Sequence, residues 1–194
     1  MYHGLLRNAS FWSFLFTVDQ DLAATRRGQG CSCGGRLHCA NYPRKPRGGC
    51  EKLPESYGYR LSFCCERDGC RKRTTPPSVR FLGRKVYLGA VVVLVAAMRQ
   101  GPAPRRVREL TELFGVDRRT VARWCTFWCE LFPQTPFWKV ARGRFLPPLT
   151  IAELPRAMLE AFLHREDSRE DWERFLLFLS PITITGGLGI TGIS

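Results

Sequence analysis

Three cysteines fall within seven positions of "SFCCERDGCRKR", residues 62–73, and three basic residues follow at once. Thiols this close serve as a disulfide, a metal site or a nucleophile. Partners lie upstream in "GQGCSCGGRLHCANYPRKPRGGC", where Cys31 and Cys33 stand directly before Gly34 and Gly35. The cysteines number nine, an odd count in clusters, which argues against a framework of disulfides. A catalytic thiol needs a histidine oriented by an acid or amide, and the three histidines, His3, His38 and His164, offer no such set. The remaining chemistry is metal binding. In a zinc ribbon each half is a tight knuckle of two thiolates, with glycine to turn the backbone so that its amides point at sulfur. Cys31 with Cys33 would form one knuckle, and Cys65 with Cys70 the other, Gly69 supplying its turn. Cys64 and Cys65 are neighbours on a strand-like run and face opposite sides, so only one should ligate. Cys65 is favoured, with Cys64 as its alternative and His38 or Cys39 as alternatives to Cys31. Four thiolates would close the shell around one structural Zn²⁺.

The charge is segregated. The chain of 194 residues carries a net +13, yet residues 31–149 hold 23 basic and 8 acidic side chains, while residues 150–194 hold 4 and 7. A strongly basic segment beside an acidic tail is the footprint of a polyanion ligand. Arg44, Lys45 and Arg47 in one loop, and Arg71, Lys72 and Arg73 after the last cysteine, are candidate phosphate contacts.

Those side chains need elements to hold them. Residues 29–80 are expected to form the ribbon, closed by "TTPP". An apolar run from Val86 to Met98 is too short to cross a membrane and predicts a buried core helix stopped by Gly101 and Pro102. In "PRRVRELTELFGVDRRTVARWCTFWCELFP", Val107, Leu110, Thr111 and Phe114 have helical spacing and Gly115 ends the helix. Val116 plugs the core, Asp117 caps a second helix, and Val121, Trp124, Cys125 and Trp128 face inward. Arg118, Arg119, Thr120 and Arg123 are expected to face outward at its amino-terminal end. This is a helix-turn-helix pattern over residues 84–132, with a basic second helix suited to the major groove and its arginines to guanine.

The amino-terminal stretch, residues 1–28, predicts an amphipathic helix, with Ser10 as cap and Phe11, Phe14, Leu15, Val18 and Leu22 on one face. Its apolar core is too short for a membrane span and lacks a cleavage signal, so a cytoplasmic protein, with reduced thiols, is expected. Residues 133–180 read as a proline-punctuated linker and a helical hairpin. Ser168 caps its second helix, Leu154, Met158, Ala161 and Phe162 form one apolar face, and Phe175, Leu176, Phe178 and Leu179 form the other. That hairpin would dock on the core or make a homodimer contact. Residues 181–194 form a glycine-rich, weakly structured tail. The fold class is α+β, mainly α.

The phrases "CSCGGRLHCANYPRKPRGG", "SFCCERDGCRKRTTPPSVRFLGRKVYLGAVV" and "RVRELTELFGVDRRTVARW" resemble a bacterial family of small zinc-ribbon proteins found with insertion sequences and described as transposase-like. The order of ribbon then helix-turn-helix also resembles the DNA-binding part of many transposases. The resemblance covers residues 31–150. It implies zinc on Cys31, Cys33, Cys65 and Cys70, double-stranded DNA as partner, a nucleoid-associated location and a separate catalytic transposase subunit. The three carboxylates of a two-metal transposase site have no room after residue 150, so no catalysis is expected of this chain alone. A transcription regulator and an RNA- or ribosome-associated zinc ribbon are the alternatives.

Overall fold

The structure is a computed structural model that describes residues 3–49, 53–82, 87–99, 104–163 and 168–184, with backbone only at 3, 99, 104, 106 and 110. It is mainly helical with small antiparallel sheets, in agreement with the α+β class expected.

A helical turn, α1 (His3–Leu6), leads into the long helix α2 (Ala9–Gly28). Its cap is Asn8, not Ser10: the Asn8 backbone is extended and its side chain accepts a hydrogen bond from the Ser10 amide at 2.9 Å. Amide side chains serve this position as well as hydroxyls do, and the helix therefore begins one residue before Ser10. Phe11, Trp12, Leu15 and Val18 enter the main core, while Ala23, further along, packs in the separate small core of the cysteine module. One helix thus touches both halves of the molecule.

The cysteine module contains β1 (Leu37–Cys39), β2 (Tyr42–Pro43), β3 (Tyr59–Arg60), β4 (Phe63–Cys65) and β5 (Arg73–Thr74). The strands β1, β4 and β5 form one antiparallel sheet, with β4 central and Leu37 opposite Cys65; β2 and β3 pair separately. Four residues after β5 the chain enters the main core. There Asp19 of α2 is wholly buried against Arg80, whose Nε donates to Oδ2 at 2.7 Å. The Ser78 hydroxyl donates to the same oxygen at 2.6 Å, and the Val79 amide to Oδ1 at 2.7 Å. The Arg80 guanidinium also donates to the carbonyls of Ser56 and Tyr59 and lies against Phe16, Tyr57 and Phe81. A buried charge persists only when paired and hydrogen-bonded throughout, which is the condition met here.

The helix α3 (Gly89–Arg99) follows, buried on every side from Gly89 to Ala97. Tyr87 and Leu88, expected within it, instead form β-bridges to Arg47 and Phe81, so the helix starts at Gly89; Val86, Gly101 and Pro102 lie outside the described residues. Next come α4 (Pro104–Leu113) and α5 (Arg118–Thr126), both packed on α3. Gly115 between them has φ +59°, the left-handed conformation that glycine takes without strain. Beyond α5 the helix widens into one π-turn, Phe127–Leu131, which seats Trp128 against Phe132 at 4.9 Å between ring centroids.

The stretch expected to be a linker contains a helix, α6 (Pro136–Ala141). Thr135 caps it by accepting from the Trp138 amide, and Trp138 is buried against Phe132. Proline at the first helical position starts helices rather than breaking them, and "TPFW" is such a start. The helices α7 (Arg156–Phe162) and α8 (Arg169–Leu179) make the expected pair, α7 packing on both α3 and α8. Ser168 caps α8 through the Asp171 amide at 3.1 Å. Ala161 is exposed rather than apolar-facing; Leu159 and Leu163 are buried with Leu154 and Met158 instead. The tail is described to residue 184, where Ile182 and Thr183 are buried; residues 185–194 lie outside the described residues. No described helix is long and apolar enough to cross a membrane.

Candidate metal centre and nucleic-acid interface

The sulfurs of Cys31, Cys33, Cys65 and Cys70 all lie within 4.8 Å of one another. Cys31 and Cys70 Sγ are 3.7 Å apart, and Cys33 and Cys65 Sγ 3.5 Å. A tetrahedral ion with metal–sulfur bonds near 2.3 Å separates its sulfurs by about 3.8 Å, so the donor set fits one thiolate-bound ion. Cys31 and Cys65 are buried, Cys33 and Cys70 partly so. Four thiolates and a protein shell leave no open coordination position, which is the form of a structural site.

Sequence order creates this geometry in two turns. In the first, the Gly34 amide donates to the Cys31 carbonyl at 2.8 Å, with Gly34 at φ +79°. The Cys31 amide donates to the Gly35 carbonyl at 2.9 Å. Gly35 is required for room: a Cβ there would stand 2.6 Å from Cys65 Sγ. In the second turn, the amides of Cys70 and Arg71 donate to the Arg67 carbonyl. Here the expectation that Gly69 makes the turn is corrected. The left-handed residue is Arg71, at φ +43°, and a side chain at Gly69 would meet open space. Arg67 reaches across and donates through Nη1 to the Cys33 carbonyl at 2.6 Å, tying one knuckle to the other.

Amides point at the sulfurs as a knuckle requires. The Cys33 amide, helped by neighbouring thiols, lowers the Cys31 thiol to about 6. The Arg67 amide pulls the Cys65 thiol down, but burial and the three sulfurs around it push it up to about 12. The Lys72 amide acts likewise on Cys70, which is nevertheless raised by its sulfur neighbours Cys33 and Cys31. Four sulfurs in contact cannot all carry charge without a cation among them.

Cys64 is directed away from the cluster, as strand alternation demands, and its thiol meets the Arg71 carbonyl at 3.4 Å. His38 does not replace Cys31: its Nε2 pairs with Glu66 Oε2 at 3.1 Å on the exposed side. The Arg36 amide and then His38 hold the Glu66 carboxyl below the usual carboxylate range. Cys39 is exposed. Cys125 and Cys129 sit half-buried on and after α5, outside the cluster.

At α5, Arg118, Arg119 and Arg123 are exposed. Thr120 is not; at 5% exposure it faces inward, correcting the outward placement expected. Its hydroxyl donates to Asp117 Oδ2 at 2.7 Å, its amide to Oδ1 at 2.8 Å, and Arg123 Nη2 donates to the hydroxyl at 2.9 Å. These bonds, the Thr120 hydroxyl's first, hold the Asp117 carboxyl below its usual range. Thr120 therefore positions Arg123 and the cap. Lys45, Arg47 and Lys72 are exposed, while Arg44 is half-buried with its guanidinium 5.4 Å from the centre of the Phe81 ring. Arg71 pairs with Asp68, and Arg73 donates to the Ala40 carbonyl and lies over Tyr42.

Side-chain identity alone could not single out Arg67, Arg71 or Tyr87, because their roles come from partners 28 or more residues away or from a backbone angle. No protein-family model matches the chain, and neither a curated protein nor a solved structure matches it significantly.

Proposed function

We propose that the chain is a zinc-stabilised, sequence-specific binder of double-stranded DNA that serves a transposable element without catalysing strand transfer itself. The observation that carries the reading is the presentation of α5. Three arginines stand exposed on its first two turns, behind a capped amino terminus and a tight turn from α4, on a helix whose other side is locked into the core by Val121 and Trp124. A helix-turn-helix places such a helix in the major groove with its first residues on base edges. Zn²⁺ on Cys31, Cys33, Cys65 and Cys70 would hold the two knuckles together; with no metal the small core beside them, Ala23, Leu37 and Phe63, is too slight to organise the module. The net charge of +13 supports a polyanion partner. The mobile-element context follows the sequence resemblance, and a separate catalytic subunit would supply the chemistry.

The test compares affinities for duplex DNA, duplex RNA and single strands at matched salt, for protein purified without added metal and then chelated. One zinc per chain, preference for duplex DNA and loss of that preference on chelation are expected. Equal or tighter binding of RNA would favour the RNA-associated reading, and metal-free protein with native binding would remove zinc from the account.

A further inference from the structure

Tyr87 stands between the ribbon and the helical unit. Its backbone pairs with Arg47 in a parallel bridge, and the next amide, Leu88, donates to the Arg47 carbonyl at 3.0 Å. Its hydroxyl donates to the Gly115 carbonyl at 3.0 Å, in the turn that leads into α5. Its ring meets Trp124 of α5 edge-on, 5.1 Å between centroids. One buried residue therefore holds the basic loop through its backbone, and the turn and the inner face of α5 through its side chain.

The loop is seated as firmly from its own side. Gly48, at φ +80°, lies so close to the first turn of α3 that a Cβ would come within 3.1 Å of Val91 and 3.3 Å of the Tyr87 ring. Its backbone is fixed, while the side chains of Lys45 and Arg47 remain exposed. Phosphate contacts set the register of a DNA-binding protein, and base contacts then specify sequence. Two sets of contacts fixed to each other through one residue bind one stretch of duplex as a unit.

We propose that the loop containing Lys45 and Arg47 and the amino-terminal end of α5 form a single composite surface for duplex DNA, with Tyr87 as the positioning residue that sets their register. This rests on the reading of α5 as the base-reading helix. The loop grips phosphates flanking the groove that α5 occupies.

Phosphate-ethylation interference on the duplex selected by the wild-type chain tests the arrangement. Arg47→Ala should erase interference at phosphates within about half a helical turn of the base pairs whose selection Arg119→Ala relaxes, and should lower the salt slope by about one unit. Tyr87→Phe should weaken the selected site by about fivefold while leaving non-specific affinity and salt slope unchanged. A merely destabilised chain would lose both affinities in parallel, and that result would overturn the positioning role. Phosphates a full turn away, or an unchanged slope in Arg47→Ala, would overturn the composite surface. If the wild-type chain selects no duplex sequence, the reading of α5 fails and the composite surface falls with it, an outcome visible before any variant is compared.

Discussion

Gly35 and Gly69 look alike in the sequence, each a glycine within two residues of a ligand cysteine. Their surroundings separate them. Gly35→Ala would place a methyl group against Cys65 Sγ, so metal affinity should fall at least tenfold in a chelator competition. Gly69→Ala meets open space and should change stability by no more than about 0.5 kcal/mol. Equal effects at the two positions would show that the knuckle geometry is wrong. A second prediction concerns the cap of α5. Asp117→Ala should lower Tm by about 2–4 °C, the consequence of losing one helix cap in a chain of this size. The carboxyl is held below its ordinary range, so its contribution is complete above the unfolded carboxylate value near 4 and is lost as pH falls through the lower folded value. The difference in Tm between Asp117→Ala and wild type should therefore shrink in acid; a difference that grew there would contradict the capping bonds.

Among the elements, α2 is the one whose role the sequence understated. Its apolar face was legible from the spacing of Phe11, Leu15 and Val18, but that spacing gives Asp19 no role. In the fold it is the buried anchor for Arg80, joining the amino-terminal helix to the segment that leaves the cysteine module. Asp19→Asn leaves Arg80 buried without its counter-charge and should destabilise the protein by about 3–5 kcal/mol, read as a lower denaturant midpoint. A cost below about 1 kcal/mol would mean that the pair is solvated. Apolar patterning found α3 from an unbroken run and α4, α5, α7 and α8 from spaced apolar faces. It missed α6, whose six residues begin with a proline, and it started α3 too early because Tyr87 and Leu88 are apolar in either a bridge or a helix. The four sulfurs were legible for a different reason: thiolate clustering and glycine are local signals. Thr120 was misplaced because its hydroxyl answers the cap, a demand that outranks helical-face arithmetic.

At the scale of the whole molecule, the cysteine module and the helical core share one connecting helix and meet again at Tyr87. The basic residues then divide by environment. Arg71 and Arg73 have internal partners, whereas Lys72 beside them is exposed and has no ion-pair partner among the described residues. Lys72→Ala should weaken binding of all duplexes alike and reduce the salt slope by about one unit, measured by titration at several salt concentrations. An unchanged slope would take Lys72 out of the phosphate contacts. The central claim is that α5 reads sequence, and selection of bound duplexes from a randomised pool by the metal-loaded chain tests it most directly, with wild type and Arg119→Ala in parallel. The account predicts one enriched sequence for wild type, with Arg119→Ala relaxing one or two adjacent base pairs, each worth about 1–3 kcal/mol. No enrichment, or an equal loss of affinity for every sequence in Arg119→Ala, would contradict it.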